Sequence, residues 1–215
     1  MAAAQTPGTA PLEVSITAEP SHHAVLENEY TRVFRVEVAP HAETLVHRHD
    51  HDYVFVTLGD TEVENAVTGK APVQIKLKDG EARFLMGHFS HAARNLSDQP
   101  FRNVTIELLK DNTHGPAADF AAPPSPAQKV LFIQDGVRVS EIRLAPGAAL
   151  PRHEHKFPHL VVAVSDIDLT SQADGRPPRG VHQKSGDAVW IPAGLAHTLT
   201  NTGTAEARFV TLEFQ

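Results

Sequence analysis

Short runs in which apolar and polar residues alternate recur along the chain: TRVFRVEV (31–38), YVFVTL (53–58), FRNVTIEL (101–108), VRVSEIRL (137–144), HLVVAV (159–164) and ARFVTLEF (207–214). They are rich in β-branched residues and end at Gly, Pro, Asp or Asn, the signature of strands that turn one face to a core. Helical periodicity is nearly absent. Many short strands separated by turn residues predict an all-β sandwich or barrel.

The pattern is written twice. Sliding the chain on itself by 106 residues, the separation of His47 and His153, pairs His49 with His155, His91 with His197 and Asn95 with Asn201. The same offset pairs Arg32 with Arg138, Asp60 with Asp166, Gly80 with Gly186, Arg102 with Arg208 and Glu107 with Glu213, without a gap. One offset kept from end to end means two copies of one domain. The expected organisation is an N-terminal arm (1–24), a first domain (25–110), a linker (111–128) rich in Pro and Ala, and a second domain (129–215). Phe120 is the one linker residue expected to pin it to a domain surface.

Composition narrows the chemistry. The 215 residues are 41% hydrophobic and 21% charged, an ordinary globular balance. A net charge of −7 with scattered Lys and Arg excludes nucleic acid, which needs clustered cations. No apolar run reaches the roughly 18 residues of a membrane span. The N-terminal MAAAQTPGTAPLEV has no basic-then-apolar signal, although its small residues would also suit a processed leader, so the expected location is cytoplasmic or exported. Cysteine is absent and histidine numbers 14, so any bound metal must be held by nitrogen or oxygen.

Two histidines at i and i+2 on a strand point to the same face. His47 with His49, and His153 with His155, can therefore each offer two imidazoles to one point, and a third histidine on another strand would close the set. The spacing within Gly186–Asn201, GDAVWIPAGLAHTLTN, and the opening of Gly147–His159, GAALPRHEHKFPH, carry a resemblance. The chain resembles the cupin family, whose two motifs these are, and the resemblance extends over both copies. It implies two tandem jelly-roll β-barrels, a bicupin, with a divalent transition metal (Fe, Mn, Ni, Cu or Zn) in the barrels. It implies His47, His49 and His91 as ligands in the first copy and His153, His155 and His197 in the second.

The departures from the family pattern make the copies unequal. Where the family's first motif has a ligating Glu, this chain has Tyr53 in one copy and His159 in the other. A four-histidine second site including His159 is therefore expected, beside a three-histidine first site. Tyr53, and His51 on the same alternation, are the candidate catalytic side chains. Met86 and His88 replace the Pro and Gly before His91. His22, His23, His41, His114 and His182 read as solvated loop or terminal histidines. Phe84, Trp190 and Ile191 read as barrel wall, and Glu107 and Glu213 as ion-pair or strand-edge carboxylates. Arg102 and Arg208 could pair with them or with an anionic ligand.

Neutral imidazoles leave a metal its full charge, which favours anionic chelating substrates. The resemblance then implies a metal-dependent enzyme of oxygenase type acting on a small diketone, enol or polyphenol. The alternatives are a redox-neutral lyase or isomerase and a non-catalytic binding cupin. A small-molecule substrate is the expected partner, and because cupins often pair through sheet edges, a homo-oligomer is admitted too.

Overall fold

The computed structural model describes residues 12–110, 120 and 125–215. In the first half the strands are β1 (Val14–Ser15), β2 (His22–Glu27), β3 (Thr31–Val38), β4 (His47–His49), β5 (Tyr53–Leu58), β6 (Thr61–Val67), β7 (Val73–Leu77), β8 (Ala82–Leu85), β9 (Phe89–Asn95) and β10 (Phe101–Leu108). In the second they are β11 (Gln128–Gln134), β12 (Val137–Leu144), β13 (Ala149–His155), β14 (His159–Ala163), β15 (Ile167–Ala173), β16 (Arg179–Gln183), β17 (Ala188–Ile191), β18 (Leu195–Asn201) and β19 (Ala207–Phe214). The only helical turn among the described residues is a single 3-10 turn at Ile16–Ala18. None of their helices is long and apolar enough to cross a membrane.

Each half folds as two facing sheets. The first has the orders β1-β4-β9-β6-β7 and β2-β3-β10-β5-β8, and the second β13-β18-β15-β16 and β11-β12-β19-β14-β17. Pairing is antiparallel except where β1 lies parallel to β4, setting Val14 beside His47. Strand pairing thus reaches back to Val14, inside the segment expected to be an arm, and forward from Gln128.

Each half has its own core between its sheets. Phe34, Val36, Val38 and Val63 fill the first, and Ile142, Leu144, Leu169 and Phe209 the second. A third core lies between the halves, where Val33, Val56, Val104 and Ile106 meet Val139, Leu160, Val162 and Leu212, all fully buried. Strands β5, β10, β14 and β19 therefore cover both faces, which is why YVFVTL and HLVVAV read as near-continuous apolar runs rather than strict alternations. Trp190, expected in a barrel wall, packs at 5.3 Å on Tyr30 of the other half.

The contact between halves is reciprocal. A Cβ on Gly80 would meet Val164 at 3.3 Å, and one on Gly186 would meet Leu58 at 3.1 Å. Gly80 and Gly186 are counterparts in the repeat, and so are Leu58 and Val164. That is how surfaces meet across a two-fold axis. Ion pairs from Arg35 to Asp187 (2.8 Å) and from Arg208 to Asp79 close its rim.

The motif asparagines hold the turns. Asn95 Nδ2 donates to the carbonyls of Val38 and Gln99 (3.1 and 2.7 Å), and Asn201 Nδ2 to those of Leu144 and Ala205 (both 2.8 Å). Both side chains are buried, so their amides replace backbone partners that these chain reversals lack.

Candidate metal centres

Strand register assembles the histidines. His47 lies directly opposite His91 across β4 and β9, and His153 opposite His197 across β13 and β18. With His49 and His155 two residues on, each half gathers three imidazoles whose ligand atoms lie within 4.8 Å of one another. Ring centroids in the first set are 4.5 to 5.1 Å apart.

The Nδ1 atoms show which nitrogen each ring turns inward. His47 Nδ1 donates to the Leu45 carbonyl (2.9 Å), and His153 Nδ1 to the Pro151 carbonyl (2.8 Å). His91 Nδ1 lies 2.6 Å from Asn65 Oδ1, and His197 Nδ1 2.8 Å from Ser171 Oγ. Leu45 and Pro151 are repeat counterparts, as are Asn65 and Ser171. With Nδ1–H so engaged, Nε2 carries the lone pair, the tautomer that metal-bound histidines are given by such outer partners.

The Nε2 atoms of His47 and His197 are buried without a hydrogen-bond partner, and those of His49 and His91 stand 3.1 Å apart. At metal–nitrogen distances of about 2.0–2.2 Å, ligands at right angles have nitrogens roughly 3 Å apart. Burial lowers the pKa of His47 and His197 to about 4 and of His91 to about 3. The rings are therefore neutral at ordinary pH, as ligation requires. These residues fit a divalent transition metal in each half.

His159 is buried, but it lies outside its half's triad. Its ring stacks on His155 at 3.8 Å and 20°. Imidazole lone pairs lie in the ring plane, so two nearly parallel rings do not aim at one point. The structure therefore gathers three histidines in the second half where the sequence predicts four. Tyr53, its counterpart, lies on His49 in the same way, at 4.1 Å and 14°. Burial raises the Tyr53 pKa, so its hydroxyl stays protonated. His51 falls in the bend after β4 and is not among the residues lining the cavity beside the first triad. His88 carries a φ of +62° in the loop before β9.

That cavity has a volume of about 110 Å³ and is walled by Val36, Val38, Phe55, Ile75 and Leu77, with Arg83 at its side. His22 also lines it, and this corrects the expectation that His22 is solvated: its side chain is 5% exposed. Its Nδ1 lies 2.6 Å from Oε2 of Glu19, itself buried. Burial would raise the Glu19 pKa, but the bonds from His22, Leu45 and Ser21 outweigh it and hold the carboxyl below its usual range. His23, His41 and His182 are exposed as expected, while His114 lies outside the described residues.

Glu107 and Glu213 sit on central strands, not edges. Arg32 Nη1 bonds Glu107 at 3.1 Å, and Arg138 bonds Glu213. Glu213 also reaches His155 Nδ1 at 3.2 Å, so it is an inward carboxylate that orients a triad ring. Its pKa falls because His155 and Arg138 outweigh burial, whereas burial wins at Glu107 and raises it. Arg208 pairs with neither glutamate but with Asp79 across the halves, and Arg102 is exposed. Phe120 packs on Phe157 (5.4 Å) and under the Arg138 guanidinium (4.9 Å).

No family model matches the chain. In sequence it is 34% identical over 82 residues to the beta-alanine degradation protein BauB of Pseudomonas aeruginosa, covering 37% of this chain and 82% of that one. In structure it is similar to a cupin 2 conserved barrel domain protein from Leptotrichia buccalis, with TM-score 0.56 and 11% identity over 90% of this chain and 88% of that one. The chain belongs to the cupin superfamily. Its two-barrel architecture is shared with oxalate decarboxylase of Bacillus subtilis, with TM-score 0.60 and 12% identity over 97% of this chain and 78% of that one.

The outer partners Asn65, Ser171, Leu45 and Pro151 escaped sequence reading. Nothing in their chemistry marks them, although the repeat offset relates them in pairs.

Proposed function

We propose that this cupin is a metal-dependent enzyme working at the first-half triad on a small chelating anion of diketone, enol or polyphenol type, as an oxygenase. The observation that carries the reading is three inward imidazoles, with no carboxylate among them, beside a closed apolar cavity. Three ligands on a six-coordinate ion leave positions for two substrate oxygens and for dioxygen or water. When bound, the metal supplies a Lewis acid for the substrate and, if it is iron, copper, nickel or manganese, redox chemistry as well.

The chain's own residues do the remainder. Val36, Val38 and Phe55 exclude water and strengthen every charge interaction inside. Arg83, held at 2.8 Å by Glu81, places a cation in the wall that an anion enters. Tyr53 braces His49 and keeps its phenol proton.

A redox-neutral lyase at the same centre is the second reading. It is favoured by the fold shared with oxalate decarboxylase, a protein described with Mn(II) centres. Elemental analysis tests the common premise: the purified protein contains at least one transition-metal ion per chain, and His47→Ala with His153→Ala loses it. Unmutated protein that takes up none, even on reconstitution, ends both readings. Oxygen uptake with diketones and flavonols then separates them, since a loaded protein that consumes none is assigned to the lyase class.

A further inference from the structure

We propose that Glu19 and His22 form a recognition pair in the first-half cavity that accepts a hydrogen bond from an O–H group on the metal-bound ligand, an inference that rests on the triad being a metal site. His22 lines the cavity together with His47, His49 and His91. Its ring centroid is 4.7 Å from that of His47 and 6.5 Å from that of His49. It is absent from the set of ligand atoms lying within 4.8 Å of one another, so it stands one layer outside the ion, where a bound ligand would meet it.

The pair is built and rigid. Glu19 is 2% exposed and accepts from the backbone N–H groups of Ser21 (2.8 Å) and Leu45 (3.2 Å) as well as from His22 (2.6 Å). An acceptor-only carboxylate fixes the His22 proton on Nδ1 and leaves Nε2 as an acceptor on the ring's other edge. In a cavity otherwise walled by aliphatic and aromatic side chains, such an edge favours ligands that bring a donor, because an unmatched polar atom is costly there. Leu45, which anchors Glu19 through its N–H, also anchors His47 through its carbonyl, so one residue registers the pair to the triad.

The second half does not repeat the device. The repeat offset sets Ser125 and Gln128 where the first half has Glu19 and His22. Recognition therefore belongs to the first centre alone. The ligand class is a chelating anion that keeps one protonated oxygen, such as a 2-hydroxy acid or an enol.

Glycolate and methoxyacetate test this, because both can chelate through two oxygens but only glycolate carries the O–H. Calorimetric titration of metal-loaded protein should show glycolate weakened roughly tenfold in His22→Leu, the loss of about one hydrogen bond. Methoxyacetate affinity and metal content should stay unchanged. Glu19→Gln should do the same with the ring in place, since an amide N–H facing Nδ1 moves the ring proton to Nε2; it carries the test if His22→Leu does not fold.

An unchanged ratio of the two affinities in both variants overturns the proposal. So does unmutated loaded protein that binds neither probe, or a folded His22→Leu variant that loses its metal, which would make His22 a ligand. Metal analysis of the unmutated protein before any probe is added separates these failures from failure of the triad reading itself.

Discussion

An imidazole offers one lone pair in its own plane, and the neighbour of its second nitrogen decides which one. Leu45, Asn65, Pro151 and Ser171 make that decision here, and burial then keeps the rings neutral. The sign of the pH response follows. The folded pKa of His47, about 4, lies below its ordinary 6.5, so below pH 6.5 the unfolded chain takes a proton that the folded chain refuses. Stability from the neutral ring is present above about pH 6.5 and is lost as the pH falls towards 4, on the order of 3 kcal/mol for one such histidine. Thermal melts in chelator should fall steadily across that window, and a flat profile would contradict buried neutral imidazoles. Tyr53→Phe, which keeps the stacked ring, should change stability by less than about 1 kcal/mol and retain metal; Tyr53→Ala should cost about 3 kcal/mol or more. The triads were legible because histidine is chemically distinctive and recurred at one offset. His22 was not, because its role depends on a carboxylate three residues before it and on a backbone N–H at Leu45, and neither has a periodic signature.

At the scale of strands and turns, alternation and punctuation gave the all-β order, and the missed features are those imposed by packing. Three consecutive buried residues in β5, Val56 to Leu58, violate period two because that strand is covered from both sides, which no local pattern announces. The turns carry their own requirements. Gly80 has a φ of +76°, and a Cβ there would meet Arg208 Nη2 at 2.7 Å. Gly80→Ala should cost roughly 1–2 kcal/mol from the left-handed backbone and weaken the Arg208–Asp79 ion pair as well, measurable by denaturant titration. Asn201→Ala should cost about 1–3 kcal/mol by leaving the Leu144 and Ala205 carbonyls unmatched. An unaffected midpoint would show that water replaces the amide.

For the whole molecule, the apolar layer between the halves makes them cooperative. Leu160 is fully buried there, far from any lone pair in the centres, and Leu160→Ala should cost about 2–5 kcal/mol. Fluorescence of Trp190, which lies in that layer beside Tyr30 and Phe214, should report the same single transition as far-ultraviolet circular dichroism. Two separated transitions would mean that the layer does not couple the barrels. The reciprocal packing of Gly80 on Val164 and Gly186 on Leu58 has a further consequence. In a symmetric dimer of a single-barrel chain, every substitution is expressed at both centres at once. Tying the two barrels into one polypeptide removes that coupling: a residue can be exchanged on one side of the axis while the other keeps its original chemistry. Tyr53 opposite His159, and Glu19 with His22 opposite Ser125 with Gln128, are differences that only such a broken symmetry permits, so one molecule can hold two centres of the same geometry and different selectivity.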